Sequence, residues 1–146
     1  MGNEFRRDDG VGVEVARVLK TMKLPHVRVI EQTGEGAALM DAWAGAEKVI
    51  LVDAVLSGQE PGTIYRINAH EQQVPRDFFS YTTHAFSVAE AVEMARTLGQ
   101  LPPTLIVYGV EGKAFSEGIG LSPIVEQAVQ AVLEKIVGEI YAATPE

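Results

Sequence analysis

Residues 49–53 read Val-Ile-Leu-Val-Asp and residues 104–110 read Thr-Leu-Ile-Val-Tyr-Gly-Val. Runs this continuously aliphatic do not alternate as a half-solvated strand would. They are the pattern of strands covered on both faces, which is the situation in a mostly parallel sheet packed between helices. The segments around them supply those helices. Val11, Val15, Val18, Leu19 and Met22 recur at helical spacing, and Pro25 ends that stretch. Leu39, Met40 and Trp43 mark a shorter helix stopped at Gly45. Ser87 with Glu90 three residues later forms a capping box ahead of Val88, Ala91, Val92, Ala95 and Leu98, closed by Gly99. Ser122 and Pro123 open the last helix, whose stripe runs from Ile124 and Val125 to Ile140. Val27, Val29 and Ile30 predict a short strand, and Thr63–Ile67 another after the turn through Ser57, Gly58, Pro61 and Gly62.

The predicted order is α-β-α-β-β-α-β-α. It specifies an α/β three-layer sandwich, a mostly parallel twisted sheet flanked by helices. The strand that should feed the first helix is lacking, so a gap is expected beside the Val49–Asp53 strand. Either the natural start lies upstream or the chain is truncated. Residues 1–146 are read as one domain.

Composition narrows the function. The chain carries 20 acids against 12 Lys and Arg, a net charge of −8, which argues against a nucleic-acid partner. It contains no cysteine, so disulfides, thiolate catalysis and thiolate-bound metal are excluded. No apolar run reaches the roughly 20 residues of a membrane span, and residues 1–10 are unlike a signal peptide, so the expected location is the cytoplasm. The start Met1-Gly2-Asn3 fails as a myristoylation signal because position 6 is Arg6.

Ligands of open α/β sheets bind outside the carboxyl ends of the strands. Asp8 and Asp9 precede the first helix, Asp53 ends the first aliphatic run, His84 precedes the capped helix, and Glu111 follows the second run. Two carboxylates and an imidazole suit a divalent cation without thiolate ligands. Each has a plainer reading. Asp9 could cap the first helix, Asp53 could cap a turn, and Glu111 is most simply a solvated loop acid. His26 and His70 are read as ordinary loop or core histidines. No zinc-protease helix, serine elbow, dinucleotide fingerprint or phosphate loop is present. The residues alone stop at a metal or cation site on the edge of an α/β sheet.

The same positions resemble the hydrogenase maturation endopeptidases over nearly the whole chain. Gly2-Asn3 and Asp8-Asp9-Gly10-Val11-Gly12 are similar to that family's first motif. Val52-Asp53-Ala54 with Pro61-Gly62-Thr63 is similar to its second, and His84 with the helix after it to its third. Gly109-Val110-Glu111 with Gly120-Leu121-Ser122-Pro123 is similar to its last. The resemblance implies that Asp9, Asp53 and His84 bind a metal. It also implies that this metal is the nickel already carried by a nickel-iron hydrogenase large-subunit precursor, with cadmium or zinc able to take its place. The C-terminal extension of that precursor would be cut off after a basic residue. Asp9 stands where some relatives have Glu, so the metal is expected nearer the backbone. Asp9 and Asp53 are the candidate catalytic bases for a carboxylate-activated water, with a metal-bound hydroxide as the competing mechanism.

Two departures matter. Glu31-Gln32-Thr33-Gly34 replaces an Asp-Gly-Gly-Thr loop, and the family's first apolar strand is represented only by Gly2-Asn3. Asp77-Phe78-Phe79-Ser80-Tyr81 is either an apolar docking surface or core aromatics under a loop. The alternatives to a processing endopeptidase are a non-catalytic nickel-binding chaperone or sensor on the same fold, and a different hydrolase such as a spore germination protease.

Overall fold

The computed structural model describes residues 1–32, 36–79 and 87–141. The elements are α1 (Val11–Met22), α2 (Gly36–Trp43), β1 (Lys48–Val55), β2 (Ile64–Asn68), α3 (Val88–Thr97), β3 (Thr104–Glu111) and α4 (Pro123–Ile140). Short 3-10 turns span Arg7–Gly10 and Arg76–Phe79. Among the described residues the sheet has the order β1-β3-β2. β1 and β3 pair in parallel from Lys48↔Thr104 to Val55↔Glu111. β2 runs antiparallel to β3, from Ile64↔Val110 to Asn68↔Ile106. The longer ladder is therefore the parallel one, made by the two aliphatic runs.

Successive side chains on a strand point to opposite faces, and the two faces have separate cores. Val52 and Ala54 of β1 and Ile106, Tyr108 and Val110 of β3 pack under α1 and α4. Leu51, Val55, Leu105 and Val107 pack under α2 and α3, with Trp43, Val88 and Val92. This two-sided burial explains the unbroken apolar runs and confirms the three layers. Each buried Val, Leu or Ile contributes about 1.5–3 kcal/mol.

The helix ends follow local rules. α1 stops at Lys23, which takes the left-handed conformation (φ 49°) two residues before Pro25. The Ser87–Glu90 capping box is formed, with the Ser87 N–H donating to Glu90 Oε2 at 3.0 Å. Ser122 is the N-cap of α4, and Pro123 occupies its first turn.

One predicted strand is not formed. Residues 27–30 carry no strand pairing and are only half-buried or exposed. The β-branched composition suits a strand, but a strand needs a neighbour to complete its ladder. Between this segment and the edge of β1 that faces away from β3 lies a cavity of about 690 Å³, lined also by Val15, Leu19, Leu39 and Trp43.

Candidate functional site

Asp9 sits in the 3-10 turn that runs straight into α1. Its N–H donates to the Arg6 carbonyl at 3.2 Å, and its Oδ2 accepts the Asn3 N–H at 3.1 Å. The N-cap of α1 is Gly10, so Asp9 does not cap that helix. Gly2 lies against it with φ +133°. A Cβ there would fall 1.8 Å from the Asp9 carbonyl oxygen, so only glycine fits. The Gly2-Asn3 pair thus wraps the turn that presents Asp9.

Asp53 lies within β1, which continues two residues past it to Val55. It is 7% exposed and its Oδ1 accepts the following Ala54 N–H at 2.9 Å. Side-chain alternation puts it on the same side as Leu51 and Val55, the side covered by α2 and α3. The Met1 amino group donates to the neighbouring Val52 carbonyl at 2.8 Å. Burial lowers the proton affinity of that amine, and the negative charges of Asp53 and then Asp9 oppose the shift. Gly2 lies against Asp9 and Met1 is bonded to the residue before Asp53, so this contact brings both acids to one edge of β1. Gly12 makes this approach possible. A Cβ at Gly12 would sit 2.3 Å from the Val52 carbonyl oxygen and 2.4 Å from that of Met1. At Gly12, α1 therefore meets the Met1 and Val52 backbone directly, and the Asp9 turn is carried to the Asp53 end of β1.

His84, the third predicted ligand, lies outside the described residues. Among those described, no group of three or more His, Asp or Glu side chains is arranged to hold a metal ion. The oxygen donors of Asp9 and Asp53 suit a divalent cation that also takes imidazole nitrogen.

Two other acids are placed differently from their sequence reading. Glu111 is no solvated loop acid. It is 1% exposed and accepts the Ser57 N–H at 2.9 Å, the Ser57 hydroxyl, and the Tyr65 hydroxyl at 3.2 Å. It pins the turn that follows β1. The signal was its position at the end of a strand buried on both faces, where the chain has not yet reached solvent. Asp8 is fully buried (0% exposed). It accepts the N–H groups of Lys113 (2.7 Å), Ala114 (2.8 Å) and Ser122 (2.7 Å) and the Ser122 hydroxyl (2.8 Å). Burial pushes the Asp8 carboxyl up, but these bonds outweigh it and hold the group below the usual carboxylate value.

The remaining candidates separate cleanly. Phe78 is half-buried against Tyr65, ring centroids 4.8 Å apart, and its carbonyl accepts the Leu56 N–H at 2.8 Å. Core packing is its role; Ser80 and Tyr81 lie outside the described residues. Of the loop that departs from Asp-Gly-Gly-Thr, Glu31 pairs with Arg17 and Lys20 and the Gln32 carbonyl accepts the Gly2 N–H at 2.9 Å. Thr33 and Gly34 lie outside the described residues. His70 Nε2 is 2.7 Å from the Pro102 carbonyl oxygen, and His26 lines the cavity beside β1.

Residues 13–139 match the family model described as hydrogenase maturation protease. A Methanocaldococcus jannaschii protein assigned to the hydrogenase maturation proteases is 34% identical over 95% of this chain and 92% of its own length. The hydrogenase 2 maturation protease of Escherichia coli is 25% identical over 96% of this chain and 87% of its own. The solution structure of an endopeptidase from Escherichia coli superposes with a TM-score of 0.82 at 24% identity, covering 97% of this chain and 90% of that one. This last likeness is one of fold. The chain belongs to the hydrogenase maturation protease family.

Proposed function

We propose that this endopeptidase removes the C-terminal extension of a nickel-iron hydrogenase large-subunit precursor in the cytoplasm, once nickel has been inserted. Asp9, Asp53 and His84 read the nickel carried by that substrate. The observation that supports this most directly is the backbone contact of Met1, Gly12 and Val52, which brings the Asp9 turn to the edge of β1 that carries Asp53. Two residues 44 positions apart in sequence would not be brought to one edge of the sheet by capping needs, and Asp9 does not cap α1. His84 stands three residues before Ser87, the N-cap of α3, and α3 covers the face on which Asp53 lies.

In this reading the bound nickel marks a finished substrate, and a carboxylate of the pair takes the proton from the water that attacks the scissile carbonyl. Nickel-loaded and nickel-free precursors, incubated with the purified protein and resolved by mass, provide the test. The loaded precursor should lose its C-terminal peptide and the empty one should not. His84→Ala, Asp9→Asn and Asp53→Asn should each slow cleavage at least 100-fold. Binding of loaded precursor without cleavage would make the protein a nickel-reading chaperone. Unchanged cleavage in His84→Ala would remove the three-ligand site.

A further inference from the structure

We infer that Asp8 is a positioning residue for the Asp9 carboxylate, acting through a clasp between the N-terminal arm and the loop that leads from β3 to α4. The inference rests on the reading of Asp9 given above but concerns a residue that reading does not use.

The clasp is built from both sides. The Asp8 N–H donates to the Ala114 carbonyl at 2.9 Å, while the Ala114 N–H donates back to Asp8 Oδ2. Lys113 N–H joins the same oxygen, Ser122 N–H takes Oδ1, and the Ser122 hydroxyl donates to Oδ2. One residue earlier the Arg7 N–H donates to the Gly118 carbonyl at 3.0 Å, and the Gly118 N–H to Phe5 at 2.9 Å. Gly112 closes the arrangement from below, because a Cβ there would meet the Asp8 Cβ at 3.1 Å.

Four donors meet one buried carboxylate, and no other common side chain of this length offers two acceptor oxygens without a donor. An amide in its place would turn N–H₂ toward N–H groups. Asp8 is therefore locked in position on both its backbone and its side chain. Asp9 follows it across a single trans peptide, with Cα atoms about 3.8 Å apart, so a shift of Asp8 passes directly to Asp9. A displacement of about 1 Å at a reacting group can cost roughly 100-fold in rate. The clasp joins two distant stretches of the chain, since Asp8 of the N-terminal arm holds Ser122 at the start of α4.

The test uses the full chain with Asp8→Asn and the milder Ser122→Ala, which deletes one of the four bonds. The Asn3 amide, which donates to Asp9 Oδ2, reports the Asp9 carboxylate independently of activity. Below the melting temperature of each variant, its hydrogen exchange should quicken at least 10-fold in Asp8→Asn and about 3-fold in Ser122→Ala. Cleavage of nickel-loaded precursor should lose at least 10-fold in kcat for Asp8→Asn, with KM within twofold. Unchanged Asn3 exchange in folded Asp8→Asn would overturn the inference. If Asp8→Asn does not fold, unchanged exchange in Ser122→Ala overturns it equally. Wild-type protein that cuts nothing would count against the proposed function alone, since the amide readout stands without it.

Discussion

The two ends of the sheet hold their acids by different means. At the carboxyl end, Asp8 and Glu111 are buried and bound by backbone N–H groups and hydroxyls. Toward the amino end, Glu139 of α4 faces the Arg66 guanidinium and accepts the Tyr108 hydroxyl at 3.0 Å. Lys48, the first residue of β1, donates to the Glu139 carbonyl in the last turn of α4, where a cation also suits the helix dipole. Dipoles fix a carboxylate without cancelling its charge, whereas a guanidinium cancels it. The carboxyl end, where Asp9 and Asp53 lie, thus fixes Asp8 and Glu111 with dipoles rather than with counter-ions. The other end spends its acids on tying α4 to β2 and β3.

The comparison can be broken first at Gly12. Gly12→Val would drive side-chain carbons into the Val52 and Met1 backbone, with no flexible atom to yield. A loss of about 3 kcal/mol or more is expected in urea unfolding, together with loss of activity. Glu111→Ala comes next. It leaves the Ser57 N–H without its acceptor inside the protein, for about 2 kcal/mol, and frees the turn after β1. Adding salt to 1 M should leave that loss unchanged, because no exposed ion pair is involved.

The smallest effect belongs to the amino end. Glu139→Ala should cost about 1 kcal/mol, and its cost should shrink in 1 M salt. Arg66, burial opposing it, holds the Glu139 carboxyl below its usual value of 4.5. A depressed carboxyl stabilises the fold fully above its unfolded value and loses that contribution as pH falls through the lower folded one. Wild-type stability should therefore fall more steeply below pH 4.5 than that of Glu139→Ala. Equal salt responses in Glu111→Ala and Glu139→Ala would erase the distinction between the ends.

Much of this was legible in the residues. The runs at 49–52 and 104–110 showed two covered strands, and the apolar spacings located four helices close to their observed bounds. The strand expected at residues 27–30 failed because β propensity describes a residue's fit to a pleated surface, while a strand exists only beside a partner. Glu111 was misread because its burial depends on Ser57 and Tyr65, far away in sequence. Asp8 was harder still. Its bonding partners lie 105–114 positions along the chain, and nothing local distinguishes it from Asp9. Adjacent acids on a tight turn were visible in the sequence. Which of them faces inward was decided by a loop from the other end of the molecule.

β3 lies at the middle of the sheet, yet it is the last of the three strands in the chain. Val55 waits for Glu111, about 56 residues further on, and β2 also pairs with β3. During synthesis at about 5–20 residues per second, β1 would emerge roughly 3–11 s before its neighbour exists. Over that interval the Val-Ile-Leu-Val run lacks the only partner strand it has among the described residues. The strand at the centre of the finished sheet is thus the last of the three described strands to be made.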